Sequence, residues 1–157
     1  MNVADIEAAC ELVRQFDPAI VDLAAEEFRN DLQHPAEWPK IRYRLVGERA
    51  GKILVTMGYG PGGIPSDGIR WTNWLMVHEE HRREGIASAI YRELEAMLRS
   101  INVRKVYLDV GAVYKQPDAI AFHTRHGYRI EGILYDYWPD GDDLVIMAKQ
   151  LEPMTSS

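Results

Sequence analysis

Hydrophobic positions along the chain recur with two different periods, and each change of period marks an element. Ile6, Ala9, Cys10 and Val13, then Ile20, Leu23, Ala24 and Phe28, are spaced to line one face of a helix. A break at Phe16, Asp17 and Pro18 divides this region into two short helices, with Pro18 suited to the first turn of the second and Asp17 to its cap. QHPAEWPK, residues 33–40, carries two prolines and reads as a loop, and residues 41–60 read as a hairpin turning at Ala50 and Gly51. Residues 60–68, GPGGIPSDG, form a surface loop of the kind that often borders a substrate site. IRWTNWLMV, residues 69–77, is a strand; Ile86, Ala89, Ile90, Leu94, Met97, Leu98 and Ile101 then mark one face of a longer helix. Val106, Leu108 and Val110 fall on one side of a strand over residues 103–111, and residues 116–126 make a short helix opened by Pro117. Two strands, residues 127–138 and 142–151, close the chain around the turn PDGD.

This order predicts a mixed α/β (α+β) fold: a largely antiparallel central sheet flanked by helices, with one strand-helix-strand crossover. No internal repeat or linker interrupts it, so residues 1–152 read as a single domain and the polar residues 153–157 as a disordered tail.

Charge narrows the function. Eighteen Lys and Arg against 24 Asp and Glu leave a net charge of -6, which disfavours nucleic acid and anionic lipid as partners. A mildly acidic surface is first a matter of solubility. The single Cys10 forms no internal disulfide, and no Cys or His run has metal-ligand spacing, so no metal site is expected and a reducing cytoplasm fits. The start MNVADIEAAC lacks the form of a signal peptide, and no segment reaches the roughly 18 apolar residues of a membrane span.

The chemistry concentrates between the strand at 69–77 and the helix after it. No Ser, Thr, Asp or Asn stands at a convincing cap position near Glu84, so the first helical N–H groups need outside partners. Gly85 opens close access to the backbone, Ala87 keeps the next turn slim, and Arg82 and Arg83 add charge to the positive end of the helix dipole. These features suit a pyrophosphate cradle, and they equally suit a solvated charged turn. Neither GxxxxGK[ST] nor GxGxxG is present.

RREGIA, residues 82–87, resembles the R/Q-x-x-G-x-G/A signature of the GCN5-related N-acetyltransferase (GNAT) family and stands where that family has it. QPDAIAFHTRHGY, residues 116–128, is similar to the family's N-x-x-A-x-x-F-Y-x-x-x-G-F segment, and LVIMAKQL to its closing strand, so the resemblance covers roughly residues 41–151. The resemblance implies acetyl-CoA as co-substrate, an amine-bearing small molecule or protein amine as acceptor, and direct transfer of the acetyl group. It also implies that the backbone of Leu75, Met76 and Val77 pairs with the pantetheine arm, and that Arg82, Arg83, Glu84, Gly85, Ile86, Ala87 and Ser88 receive the pyrophosphate, an assignment that agrees with sheet-edge and helix-start chemistry.

Two positions depart from the pattern. Gln116 replaces the usual Asn, and His123 replaces the Tyr that protonates the leaving thiolate. Histidine is able to donate a proton, best with its pKa raised; Tyr114 and Tyr128 are nearby alternatives. Glu79 and Glu80 read as solvated, whereas Asp67, Asn73, Asp136 and Tyr137 are candidates to order a water or bind the acceptor. Strand alternation puts Trp71, Asn73 and Leu75 on one face and Trp74 and Met76 on the other. Trp38, Tyr59, Trp71, Tyr135, Tyr137 and Trp138 either wall an amine pocket or fill the core. A homodimer through the closing strands is a further expectation, and a non-catalytic acyl-CoA-binding or regulatory module, suggested by the missing Tyr, is the alternative reading.

Overall fold

A computed structural model of the chain describes residues 1–33, 43–111 and 117–152. Helices α1 (Ile6–Arg14) and α2 (Val21–Gln33) come first, followed by strands β1 (Tyr43–Arg49), β2 (Lys52–Gly60) and β3 (Ile69–Val77). Helix α3 (Ile86–Ser100), β4 (Lys105–Val110), α4 (Pro117–Arg125), β5 (Arg129–Leu134) and β6 (Leu144–Gln150) complete the order. The six strands form one sheet in the order β1-β2-β3-β4-β6-β5. Every pairing is antiparallel except β3 with β4, which the α3 crossover joins in parallel. This is the mixed sheet that the two periodicities predict.

The local signals act where the sequence puts them. Asp17 accepts the Ala19 N–H at 2.9 Å and caps the Pro18–Ile20 turn that leads into α2. Ala50 and Gly51 both have positive φ, 52° and 78°, as a tight hairpin with the right-handed strand twist demands.

Two apolar clusters lie on opposite faces of the sheet. On one, Ile90, Tyr91, Leu94 and Leu98 of α3 meet Met57, Val106, Leu108, Val145 and Met147, with Ala119, Ile120 and Phe122 of α4 packed alongside. On the other, Ile6, Ala9, Cys10 and Val13 of α1 and Ala24 and Phe28 of α2 enclose Trp74 and Met76. Each large side chain so buried contributes about 1.5–3 kcal/mol of hydrophobic stabilisation. Glu95, nearly buried on α3, binds Lys149 of β6 through both oxygens at 2.6 and 2.8 Å and Arg99 at 3.0 Å, clamping helix to sheet.

Three expectations change. Ile101 caps α3 at 44% exposure, so the apolar stripe ends at Leu98. Leu23 is 54% exposed, because its side of α2 borders a cavity rather than core. Strand β5 stops at Leu134, and Tyr135, Tyr137 and Trp138 lie exposed in the connection to β6. Residues 153–157, read from sequence as a tail, lie outside the described residues, as do residues 34–40 of the predicted loop, including Trp38.

Candidate functional site

Strand alternation fails within β3, and the failure builds the site. Thr56 pairs with Met76 but Gly58 with Asn73, so β3 carries one residue more than β2 across this stretch. Trp74 absorbs the extra residue with φ +53°, a left-handed conformation that costs a bulky side chain on the order of 1–2 kcal/mol. The bulge inverts the parity beyond it: Leu75 and Val77 pack with α3, while Trp74 and Met76 pack with α1 and α2. Trp71 stays on the face of Tyr107, against which it stacks at 5.1 Å. Leu75 therefore does not share a face with Trp71, contrary to simple alternation.

A gap opens beside the bulge. β3 and β4 are in register only from Ile69↔Lys105 to Trp71↔Tyr107, after which they separate and, among the described residues, no strand pairs with the β4-facing edge of β3. The separation leaves a cavity of about 700 Å³ that passes through the sheet. Thr72, Asn73, Trp74, Leu75 and Met76 line it from β3, and Leu108, Asp109, Val110 and Gly111 from the β4 side. Tyr91, Ala119 and His123 close one end; Phe16, Asp17, Leu23, Glu27, Trp138 and Asp140 surround the other.

Past Val77 the chain makes one tight turn, Glu79–His81, and then the loop into α3. Arg83 and Gly85 have positive φ of 69° and 81°. A Cβ on Gly85 would meet nothing within 4 Å, so the backbone conformation, not crowding by the protein, is what selects glycine there. Gly85 caps α3 with no side-chain hydrogen bond, and the first helical bond is Ala89 N–H to the Gly85 carbonyl at 3.0 Å. The amides of Ile86, Ala87 and Ser88 are thus the uncapped start of a long helix, with Arg82 and Arg83 exposed beside them. The Glu84 carboxylate turns away, accepting from Arg49 at 2.9 Å and His81 Nδ1 at 3.1 Å; these bonds hold its pKa below the usual range. Glu84 can therefore serve an anion through its backbone and not its side chain. His78, Glu80 and His81 bring ligand-type atoms within 4.8 Å of one another. The Glu80 N–H already occupies His78 Nδ1 at 3.3 Å and Glu84 occupies His81 Nδ1, so the group braces the turn.

At the closed end, His123 Nδ1 lies 2.9 Å from the Tyr91 hydroxyl. Burial, followed by the neighbouring His126, lowers the His123 pKa to about 4, opposite to the upward shift that would favour a cationic acid. The ring is neutral at pH 7. Burial also raises the Tyr91 pKa well above its ordinary value, so this hydroxyl keeps its proton; in the tautomer where it donates to Nδ1, the His123 hydrogen sits on Nε2. Tyr128 is buried behind Tyr91, its hydroxyl close to Tyr91 and Thr72 without a hydrogen bond of good geometry, and burial lifts its pKa beyond the normal phenol range. His126 bonds the Phe122 carbonyl and the Ser88 hydroxyl, both at 3.0 Å, tying α4 to the first turn of α3.

Asp109 stands on the β4 wall between the two ends, solvent-accessible yet set deep enough that desolvation, assisted by Glu27, raises its pKa. Glu27 accepts the indole N–H of Trp74 at 2.5 Å.

Among the residues singled out from sequence, Leu75, Met76, Asn73, Trp74, His123 and Trp138 line the cavity, whereas Val77 and Arg82 to Ser88, the loop and first residues of α3, do not. Asp67, Glu79, Glu80, Asp136 and Tyr137 do not line it, nor do Tyr59, which is core, or Trp71. No part of residues 61–68 borders it either. Gln116 and Tyr114 lie outside the described residues. Tyr91, Asp109, Glu27 and Asp17 went unrecognised as site residues. Asp109 had a readable signal, a carboxylate alternating with Val106, Leu108 and Val110; Glu27 had none, since only tertiary packing brings α2 to the cavity.

Residues 8–128 match the family model of the acetyltransferase (GNAT) family. An N-acetyltransferase of Methanocaldococcus jannaschii, itself uncharacterised, is 28% identical over 88% of this chain and 91% of its own length. The N-alpha-acetyltransferase of Saccharolobus solfataricus is 33% identical over 49% of this chain, a match that spans 46% of that relative. A GNAT-family structure from Desulfovibrio desulfuricans superimposes with a TM-score of 0.85 at 19% identity, covering 96% of this chain and 95% of that one. An aminoglycoside 6'-N-acetyltransferase complexed with coenzyme A gives 0.74 at 20% identity, over 99% and 95% of the two chains.

Proposed function

The chain belongs to the acetyltransferase (GNAT) family, and from that premise we propose that it transfers acetyl from acetyl-CoA directly to a primary amine inside the 700 Å³ cavity. The observation that carries this reading is the open edge of β3. It runs from the uncapped start of α3 to a cavity holding one buried donor and one perturbed carboxylate.

Acetyl-CoA would supply a thioester carbonyl that an amine can attack without an enzyme-bound acyl group. The edge along Leu75, Met76 and Val77, where the Val77 carbonyl accepts from Arg82 Nε at 3.4 Å, offers amide partners to the pantetheine arm, as an added strand would use them. Arg82 and Arg83, with the amides from Arg83 to Ser88, face the pyrophosphate, and the dipole of α3 favours its charge. Gln116 remains a candidate at the same arm by its place in the motif.

An amine reaches the site mostly as ammonium and must lose a proton before it attacks. Asp109 accepts that proton, its raised pKa bringing it closer to the task than an ordinary aspartate. As the carbon-nitrogen bond forms and the carbon-sulfur bond breaks, His123 Nε2–H donates a hydrogen bond to the sulfur, while the second nitrogen-borne proton passes to the leaving thiolate. His123 thus stabilises developing charge as a neutral donor positioned by Tyr91.

Calorimetric titration of acetyl-CoA into the wild type and into Gly85→Glu tests the cradle. Thiol release across a panel of primary amines tests transfer. Binding lost in the variant, together with amine-dependent thiol release, is the expected result. Binding without turnover on any amine would leave an acyl-CoA-binding module, and equal or absent binding in both proteins would remove the reading.

A further inference from the structure

Two pairs of side chains join α4 and its end to α3, one turn apart. His123 Nδ1 meets the Tyr91 hydroxyl at 2.9 Å, and His126 Nε2 meets the Ser88 hydroxyl at 3.0 Å. A spacing of three residues on each side lets both pairs form together, 88 with 126 and 91 with 123, with the two stretches running in opposite directions. The Tyr91 ring lies against both imidazoles, its centre 5.9 Å from that of His123 and 5.0 Å from that of His126. The His123 pair serves the transfer as proposed. The His126 pair has no use in it.

His126 follows the last residue of α4, yet it is bonded into the helix. Its amide donates to the His123 carbonyl at 3.0 Å, and its Nδ1 meets the Phe122 carbonyl at 3.0 Å. A carbonyl only accepts, so Nδ1 carries hydrogen, and in the neutral ring Nε2 accepts from Ser88. Displacing His126 therefore displaces the backbone that carries His123. Packing alone restrains α4 weakly: none of its described side chains is fully buried, and Ala119, Ile120 and Phe122 pack only partly against the core. Directed bonds then decide where the helix sits. Ser88, at the other end of one of them, belongs to the first turn of α3, whose amides the protein leaves uncapped.

We propose that His126 is a positioning residue that links the pyrophosphate end of acetyl-CoA to its sulfur: through Ser88 it responds to order at the start of α3, and through its own turn it sets His123 against the thioester. This rests on the transfer reading above. His126 takes no part in bond making. Phosphates remote from the thioester then contribute to turnover and not only to affinity, because part of their binding free energy goes into aligning a group at the reacting centre.

The test sets acetyl-CoA beside S-acetylpantetheine, a thioester with the same reacting end and no phosphate, in the wild type, His126→Phe, Ser88→Ala and the double variant. The amine is the one that gives the fastest thiol release, at saturation. In the wild type kcat with acetyl-CoA is expected to exceed kcat with S-acetylpantetheine by about tenfold or more. His126→Phe keeps a ring against Tyr91 and Phe122 and removes both side-chain bonds. It should lower kcat by about tenfold with acetyl-CoA and by no more than about twofold with S-acetylpantetheine. Ser88→Ala should act in the same direction, and the double variant should be no worse than His126→Phe alone, as expected of two residues that share one bond. Hydrogen exchange supplies a readout without turnover: CoA should slow the amides of the first turn of α3 and of α4 in the wild type, and only those of α3 in His126→Phe. Equal kcat for the two donors in the wild type, equal losses with both donors in the variants, or slowing of α4 by CoA in His126→Phe as in the wild type would each overturn the inference and leave the transferase intact. Absence of turnover on every amine, with acetyl-CoA bound, would remove the transfer reading and this role of His126 with it.

Discussion

The 2.9 Å contact between His123 Nδ1 and the Tyr91 hydroxyl determines what the histidine can do. An imidazole with a pKa near 4 is no cationic acid at neutral pH, and donation from the Tyr91 hydroxyl to Nδ1 would favour the tautomer with hydrogen on Nε2. Tyr91→Phe keeps the ring in its cluster and frees the tautomer. It should lower kcat by about tenfold, roughly 1.4 kcal/mol, with little change in acetyl-CoA affinity. Steady-state kinetics beside calorimetry would separate the two, and an unchanged kcat would detach Tyr91 from the reaction.

The same burial makes His123 a pH-dependent element of stability. Its folded pKa, about 4, lies below the unfolded value of 6.5, so the unfolded chain binds the proton first. The contribution is whole above pH 6.5 and is lost as pH falls toward 4, amounting to roughly 3 kcal/mol at its limit. Urea unfolding of wild type and His123→Gln should show the wild type losing more stability than the variant between pH 6.5 and 4. Parallel curves would contradict the buried neutral ring.

Much of this arrangement was legible in the residues. Helical spacing in α1 and α3 located both apolar clusters, and RREGIA located the loop, because these signals are local. The cavity was not legible. It depends on the bulge at Trp74, where one additional residue reverses every side chain after it, and no period-two pattern announces such a shift. His123 was found by motif, but the fall of its pKa, opposite to the rise that would have helped an acid, was not legible, since burial by α3 and α4 is a property of the assembled fold.

Asp109 is the proton acceptor in the proposed reaction, and on that proposal its removal should be severe. Asp109→Asn is expected to reduce kcat/KM by 10²–10⁴ with acetyl-CoA binding preserved. In the wild type, activity should fall with acidification at a pH above that of an ordinary aspartate, because burial raises this pKa and the Glu27 charge adds to the rise. Glu27→Gln, which removes that charge, should move the acid limb to lower pH. A limb that stays in place would mean that another group titrates.

Gly85 can be tested without touching charge. Its φ of +81° is strained for any L side chain, yet a methyl group there meets no atom within 4 Å. Gly85→Ala should therefore cost about 1 kcal/mol in stability through the backbone alone. If the loop amides must also admit a pyrophosphate closely, the methyl group stands where the ligand approaches, and acetyl-CoA affinity should fall by more than tenfold while thermal stability falls only slightly. Thermal melts and calorimetry on one preparation decide between the roles. Weakened folding with unaltered affinity would make Gly85 a glycine of the turn only, whereas lost affinity in a folded variant would place the phosphates against the start of α3.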